Sequence, residues 1–199
     1  MPQFEHSTLT NKSKLYVQLQ PDQETIQWLQ RLQSQLDPVA SAISMDQLHM
    51  TIIHFGKIQK LIDSVSSRLK TSEADLLEYT SQLVQAWRMR LESIEDIPII
   101  MKSTTHSLFG ANHSTYVVEF DAAELAMQLH SECLLDLKAY FRTIGITDPT
   151  MFMQQDFNFQ YALGLRPHVT IAKHYSGSVP PALLNTPIIA SFRTMKIVY

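Results

Sequence analysis

Apolar and polar positions change period several times along the chain. Residues 15–20 (LYVQLQ) are β-branched and aromatic with partial alternation, which predicts a strand. Pro21 and Asp22 then open a stretch where Ile26, Leu29, Leu32 and Leu36 recur at steps of three and four. That is the spacing of one helix face, and Pro38 supplies its stop. Residues 48–56 (LHMTIIHFG) predict a second strand, closed by glycine. Residues 73–91 predict a second helix, with Leu76, Leu77, Thr80, Leu83, Val84, Trp87 and Leu91 as its buried stripe. Residues 102–109 and 114–121 flank Gly110-Ala111-Asn112-His113, turn chemistry between two hairpin strands. A third helix is expected over about 122–144, with Leu125, Leu129, Cys133, Leu137, Tyr140, Phe141 and Ile144 on its inner face. Residues 145–165 are rich in Met, Gln and Phe and are expected to be irregular. Residues 166–174 and 190–199 read as the last two strands.

The pattern repeats. YVQLQ, a helix and HMTIIHF form one unit; YVVEF, a helix and HVTIAKH form another. Tyr16 precedes His49 by 33 positions and Tyr116 precedes His168 by 52, the extra length being mostly residues 145–165. Each unit ends on a His-x-Thr-Ile strand. A duplicated fold with a central cleft follows if those two strands face each other.

Strand side chains alternate faces, so His49 and Thr51 share one face, about 6.5–7 Å apart at Cα. Met50 and Ile52 take the other face, where a helix can cover them. His168 and Thr170 stand in the same relation to Val169 and Ile171. Two imidazoles and two hydroxyls then meet, a set suited to phosphoester cleavage. One imidazole can take a proton from water while the other gives one to the leaving oxygen. The hydroxyls can donate to non-bridging oxygens, where charge builds up. No metal is required.

Composition narrows the field. At 199 residues, 45% hydrophobic and 18% charged, the chain suits one globular domain or two small lobes, and not disorder, collagen or a coiled coil. A net charge of −3 argues against coating nucleic acid by charge alone. Acids are unevenly placed: none follows Asp156, while Arg166, Lys173, Arg193 and Lys196 do. Residues 97–118 also lack acids and carry Lys102. A small anion near these stretches meets a positive field, unless they are simply apolar strands with few charges of either sign. The lone cysteine, Cys133, lies on a helix stripe and reads as a buried small hydrophobe in a reducing compartment. No apolar run reaches the ~20 residues of a membrane span. The first residues lack the apolar core of a signal peptide, so a cytoplasmic location is expected.

Other side chains are ambiguous at this level. His49 and His54 are expected on opposite faces of one strand, and His168 and His174 lie about 20 Å apart. Neither pair suits a shared metal. His113 reads as an exposed turn residue, and His106 could reach the groove. Ser107 and Ser114 lack a nucleophile-elbow context. Phe157, Phe159 and Tyr161 either pack the core or stack a base at the groove mouth. Arg166 and Lys173 flank the second motif; either can hold a phosphate or stand as a surface charge, and Arg166 is favoured.

LHMTIIHFG and LRPHVTIAKH resemble the two signature motifs of the 2H phosphoesterase superfamily, which includes the bacterial 2′-5′ RNA ligase-like proteins that act as RNA 2′,3′-cyclic phosphodiesterases. The resemblance implies an α+β fold over residues 1–199, bilobal and pseudo-twofold, with mostly antiparallel sheets around a central groove. It implies that His49, Thr51, His168 and Thr170 are the catalytic tetrad. Both motifs are intact, which disfavours a binding-only relic. The expected partner is a nucleotide or RNA end bearing a 2′,3′-cyclic phosphate, handled by a monomer without cofactor or metal. Cleavage or ligation of 2′-5′ linkages, opening of a signalling cyclic nucleotide, and a non-catalytic nucleotide-binding module are the alternatives.

Overall fold

A computed structural model describes residues 9–10, 12–36, 40–65, 69, 71–94, 97–177 and 187–198. Pro38 and Tyr199 lie outside the described residues. Strand β1 (Lys14–Pro21) leads to helix α1 (Gln23–Gln33), capped by the Asp22 carboxylate, which accepts from the Thr25 N–H at 2.9 Å. A two-residue strand β2 (Ser41–Ala42) precedes β3 (Met50–Lys57). Helices α2 (Ile58–Val65) and α3 (Glu73–Glu92) follow, the latter opened by a Ser72/Asp75 capping box. The hairpin β4 (Ile99–Phe109) and β5 (Thr115–Phe120) feeds α4 (Glu124–Thr143), α5 (Pro149–Gln155), β6 (His168–Lys173) and β7 (Ile189–Val198).

The predicted units correspond to β1–α1–β3 and β5–α4–β6. Strand order is β2-β6-β3-β1-β7-β4-β5, and β5 pairs back onto β6, so six antiparallel strands form a ring. The motif strands β3 and β6 are therefore neighbours in one sheet, joined at the single pair Met50–Val169.

The repeat is offset by one residue from its sequence match. Thr51 pairs with Gln18 and Thr170 pairs with Val117, so Gln18 is the counterpart of Val117 and Val17 that of Tyr116. Each motif strand carries a bulge at the same place. The β1 ladder skips Ile52 between Thr51 and Ile53; the β5 ladder skips Ile171 between Thr170 and Ala172. The inserted residue breaks the two-residue alternation, so Ile52 and Ile53 are both buried, as are Ile171 and Ala172.

Two elements differ from the sequence reading. Helix α2 follows β3 directly, burying Ile58, Leu61, Ile62 and Val65. Its spacing was visible, but Gly56 read as a stop. Gly56 is instead a left-handed joint (φ +92°), where a Cβ would crowd His54 and come against the Asn158 carbonyl. Residues 145–165 are also not irregular throughout. Asp148 caps α5 and Pro149 starts it, and a 3-10 turn spans Gln160–Ala162. Seven residues give too short a stripe for periodicity to register.

Burial of this insert settles one of the open readings: Phe159 is core, packing edge-on against Phe55 and Phe141 at 5.5 and 5.2 Å. Helices α3 and α4 pack on each other, where Trp87 Nε1–H donates to the Cys133 carbonyl at 3.2 Å and Arg90 bridges Glu132 and Asp136. Cys133 is fully buried, and burial pushes its thiol up to about 12, so it packs as a hydrophobe. No described helix is long and apolar enough to cross a membrane.

Candidate active site

The Met50–Val169 pair sets the site. In antiparallel order the positions flanking that pair bring Thr51 to the side of His168 and His49 to the side of Thr170, although the ladder itself is the single pair. Met50 and Val169 are fully buried on the core side. All four motif side chains are therefore on the other face, and each is half-buried. Two copies of one pattern become a two-by-two patch of imidazoles and hydroxyls. Neither threonine hydroxyl is taken by another described residue.

The imidazoles are held alike. His49 Nδ1 lies 2.7 Å from the Gln47 carbonyl, and His168 Nδ1 lies 2.7 Å from the Arg166 carbonyl. A carbonyl only accepts, so both Nδ1 atoms carry the proton and each neutral ring keeps its Nε2 lone pair for chemistry. Burial lowers the pKa of His49. The Gln47 carbonyl opposes that shift, whereas Lys196, His168 and Lys173 add to it. Burial also lowers His168, where the Arg166 carbonyl and the Glu119 carboxylate pull up and the Arg166 guanidinium pulls down.

Burial has a consequence for stability. His49, His54, His106, His130 and His168 all have pKa values lowered from 6.5, chiefly by burial. The unfolded chain therefore binds protons more readily than the folded one as pH falls past that value. This stabilisation is complete above about 6.5 and is lost as pH drops through the folded values. The melting temperature is expected to fall between pH 7 and pH 5; a flat or rising profile would contradict the burial of these rings in neutral form.

Ladder register adds groups that local patterns did not reveal. Lys196, Gln18 and Thr51 lie opposite one another across β7, β1 and β3, and opposed residues share a face. Gln18 is only 7% exposed there, and Lys196 bears electrostatically on His49. On the other side, Glu119 pairs with His168 across β5 and β6. Burial alone would raise the Glu119 pKa, but hydrogen bonds from Arg166 and Ser107 and the charge of Arg166 hold it low.

Arg166 donates to Glu119 through Nε at 2.9 Å and Nη2 at 3.2 Å, with its guanidinium 4.0 Å above the Phe109 ring. It lines the groove with this fork turned to a carboxylate. Lys173 is exposed and acts on His49.

A cavity of about 1140 Å³ opens on this face. Thr51, Ile52 and His54 line one wall, Ser107, Phe109, Arg166 and His168 line another, and Gln160 and Tyr161 come from the insert. The presence of His54 overturns the expectation that it turns away from the motif face. The Ile52 bulge adds one residue to the count and returns His54 to the side of Thr51. His106 borders the cavity, but its ring is buried with Nδ1 at 3.1 Å from the Tyr116 hydroxyl. His113 is an exposed left-handed turn residue (φ 47°), as expected. Among the described residues, no three His, Cys, Asp or Glu side chains gather as a metal ligand set.

No protein-family model and no curated protein matches the sequence. Solved structures do. The crystal structure of a phosphoesterase superposes with a TM-score of 0.52 at 12% identity, over 89% of this chain and 84% of the other. LigT of E. coli complexed with 3′-AMP gives 0.52 at 12% identity, over 89% and 83%. The same protein complexed with ATP gives 0.51 at 12% identity, over 89% and 83%. At such identity the likeness speaks to the fold, and it agrees with the resemblance carried by the two motifs. The protein therefore has the α+β fold of E. coli LigT.

Proposed function

We propose that the groove hydrolyses 2′,3′-cyclic phosphates of RNA ends or nucleotides without a metal ion. The observation that carries this reading is the patch set by Met50–Val169, with both imidazoles fixed through Nδ1 and neither Nε2 hydrogen-bonded to a described residue. One neutral Nε2 takes a proton from water as its oxygen bonds to phosphorus. The bond from phosphorus to the 2′- or 3′-oxygen breaks, and that oxygen receives the proton of the other, protonated imidazole. The product is a phosphate monoester, and the two histidines have exchanged roles as proton carriers. Thr51 and Thr170 donate to the non-bridging oxygens as their charge grows.

Burial and cations keep both imidazoles neutral near pH 7 in the free protein. The arriving phosphodiester anion supplies the opposite charge that lets one of them hold a proton. Lys196 and Lys173 add to the attraction for that anion. Nucleotide complexes of E. coli LigT support a nucleotide as the substrate class.

Turnover of 2′,3′-cyclic AMP before and after EDTA treatment tests the proposal. Unchanged turnover is expected. Loss on chelation, restored by one added metal ion, would refute the metal-free mechanism.

A further inference from the structure

Of the four motif residues, Thr51 and His168 line the large groove while His49 and Thr170 lie outside its lining, so the proposed phosphate chemistry takes up only one edge of it. A cavity of about 1140 Å³ exceeds what a phosphate group needs and lies just above the ~300–1,000 Å³ of sites for whole small molecules. What lines the remainder is aromatic on the Thr51 side. The His54 ring sits 5.0 Å from Tyr16 and meets the edge of Tyr161 at 6.4 Å. Phe157 backs Tyr161 edge-on at 5.6 Å. Tyr161 and Phe157 are 59% and 71% exposed, unusual for large rings unless something covers them. The Nδ1 of His54 is buried without a hydrogen-bond partner. The ring is held by a hydrogen bond to the backbone of Asn158 in the insert and borders the groove.

The opposite wall is already occupied. Phe109 has Arg166 at 4.0 Å over its face and His168 at 4.9 Å. Among the described residues no such cover lies on Tyr161, whose ring contacts with His54 and Phe157 are both edge-type. Two features build this wall: the Ile52 bulge, which turns His54 inward, and the insert, which carries Phe157 and Tyr161.

We infer that His54 and Tyr161, backed by Phe157, form a ring-binding subsite on the Thr51 side of the groove, which takes the nucleobase of a nucleotide whose phosphate lies at the histidine pair. The inference rests on the proposed phosphodiesterase reading and names the part of the substrate that selects it. Stacking a base on an aromatic side chain is worth ~1–3 kcal/mol, a factor of roughly 5–150, and tolerates different bases because each has a π-face.

The experiment compares a base-bearing cyclic phosphate, 2′,3′-cyclic AMP, with a baseless one, glycerol 1,2-cyclic phosphate. Tyr161→Ala is expected to raise KM for the first about 10-fold and to leave kcat/KM for the second unchanged. His54→Leu is expected to act in the same direction, and His54→Phe, which keeps a ring, to lose less. Equal losses on both substrates, or none on either, would overturn the subsite. Calorimetric binding of adenosine 3′-monophosphate against inorganic phosphate separates the two claims. If neither cyclic phosphate turns over but Tyr161→Ala still weakens the nucleotide alone, the reaction is wrong and the subsite stands. If the parent protein binds the nucleotide no better than phosphate, the subsite is wrong.

Discussion

Replacing either imidazole, as His49→Ala or His168→Ala, is expected to lower turnover of a 2′,3′-cyclic nucleotide by at least ~10²-fold with the fold intact. Each ring is the acid–base group of its own His-x-Thr motif, and each serves one half of the proposed proton relay. Neither supports the core. Both are half-buried, and the side-chain hydrogen bond of each runs to a carbonyl two residues back, in the segment that leads into its strand. Loss of the ring also removes a group whose burial disfavours its charged form, so melting temperatures near pH 6 should hold or rise. Circular dichroism and melting on the same samples separate lost chemistry from lost structure. Near-native turnover in both variants, on every substrate that the parent cleaves, would remove the histidines from the mechanism.

Thr51→Val and Thr170→Val isolate the hydroxyls. Valine keeps the β-branched shape and volume, so the bulged strands should pair as before. The donor to the non-bridging oxygens is gone. An oxyanion-type donor is worth ~10²–10³-fold in rate, and with two threonines sharing the load each single variant is expected near the lower end. If the hydrogen bond tightens mainly in the transition state, kcat falls and KM changes little. Thr51 also adjoins buried Gln18 on the same face, so its loss could disturb that neighbour; Thr170 adjoins Val117 instead and is the cleaner probe. Unchanged kcat in both variants, with equal or higher melting temperatures, would reduce these threonines to packing groups.

Much of this site was legible before any coordinates. Alternation placed His49 with Thr51 and His168 with Thr170, and their recurrence in two strand–helix–strand units marked them as a pair. Local pattern does not carry strand order, so the Met50–Val169 contact could not be read. The expected picture of two strands facing each other became two strands side by side. Bulges were equally hidden: Ile52 and Ile171 look like ordinary inward residues, and only the partner strand shows that each is an extra one. That missing count turned His54 the wrong way. The matched Tyr16 and Tyr116 misled by one position for the same reason, since identity of letters is not identity of register. Gln18 and Lys196 became neighbours of Thr51 only through cross-strand pairing between distant parts of the chain.

The most direct measurement of the central claim is the hydrolysis of 2′,3′-cyclic AMP in ¹⁸O-labelled water, with EDTA present, by the parent protein and by the His49→Ala/His168→Ala double variant. The account predicts that the parent yields adenosine monophosphate carrying one heavy oxygen on phosphorus and that the double variant yields none above background. Failure of the parent to open the ring, or equal yields from the parent and the double variant, would contradict it.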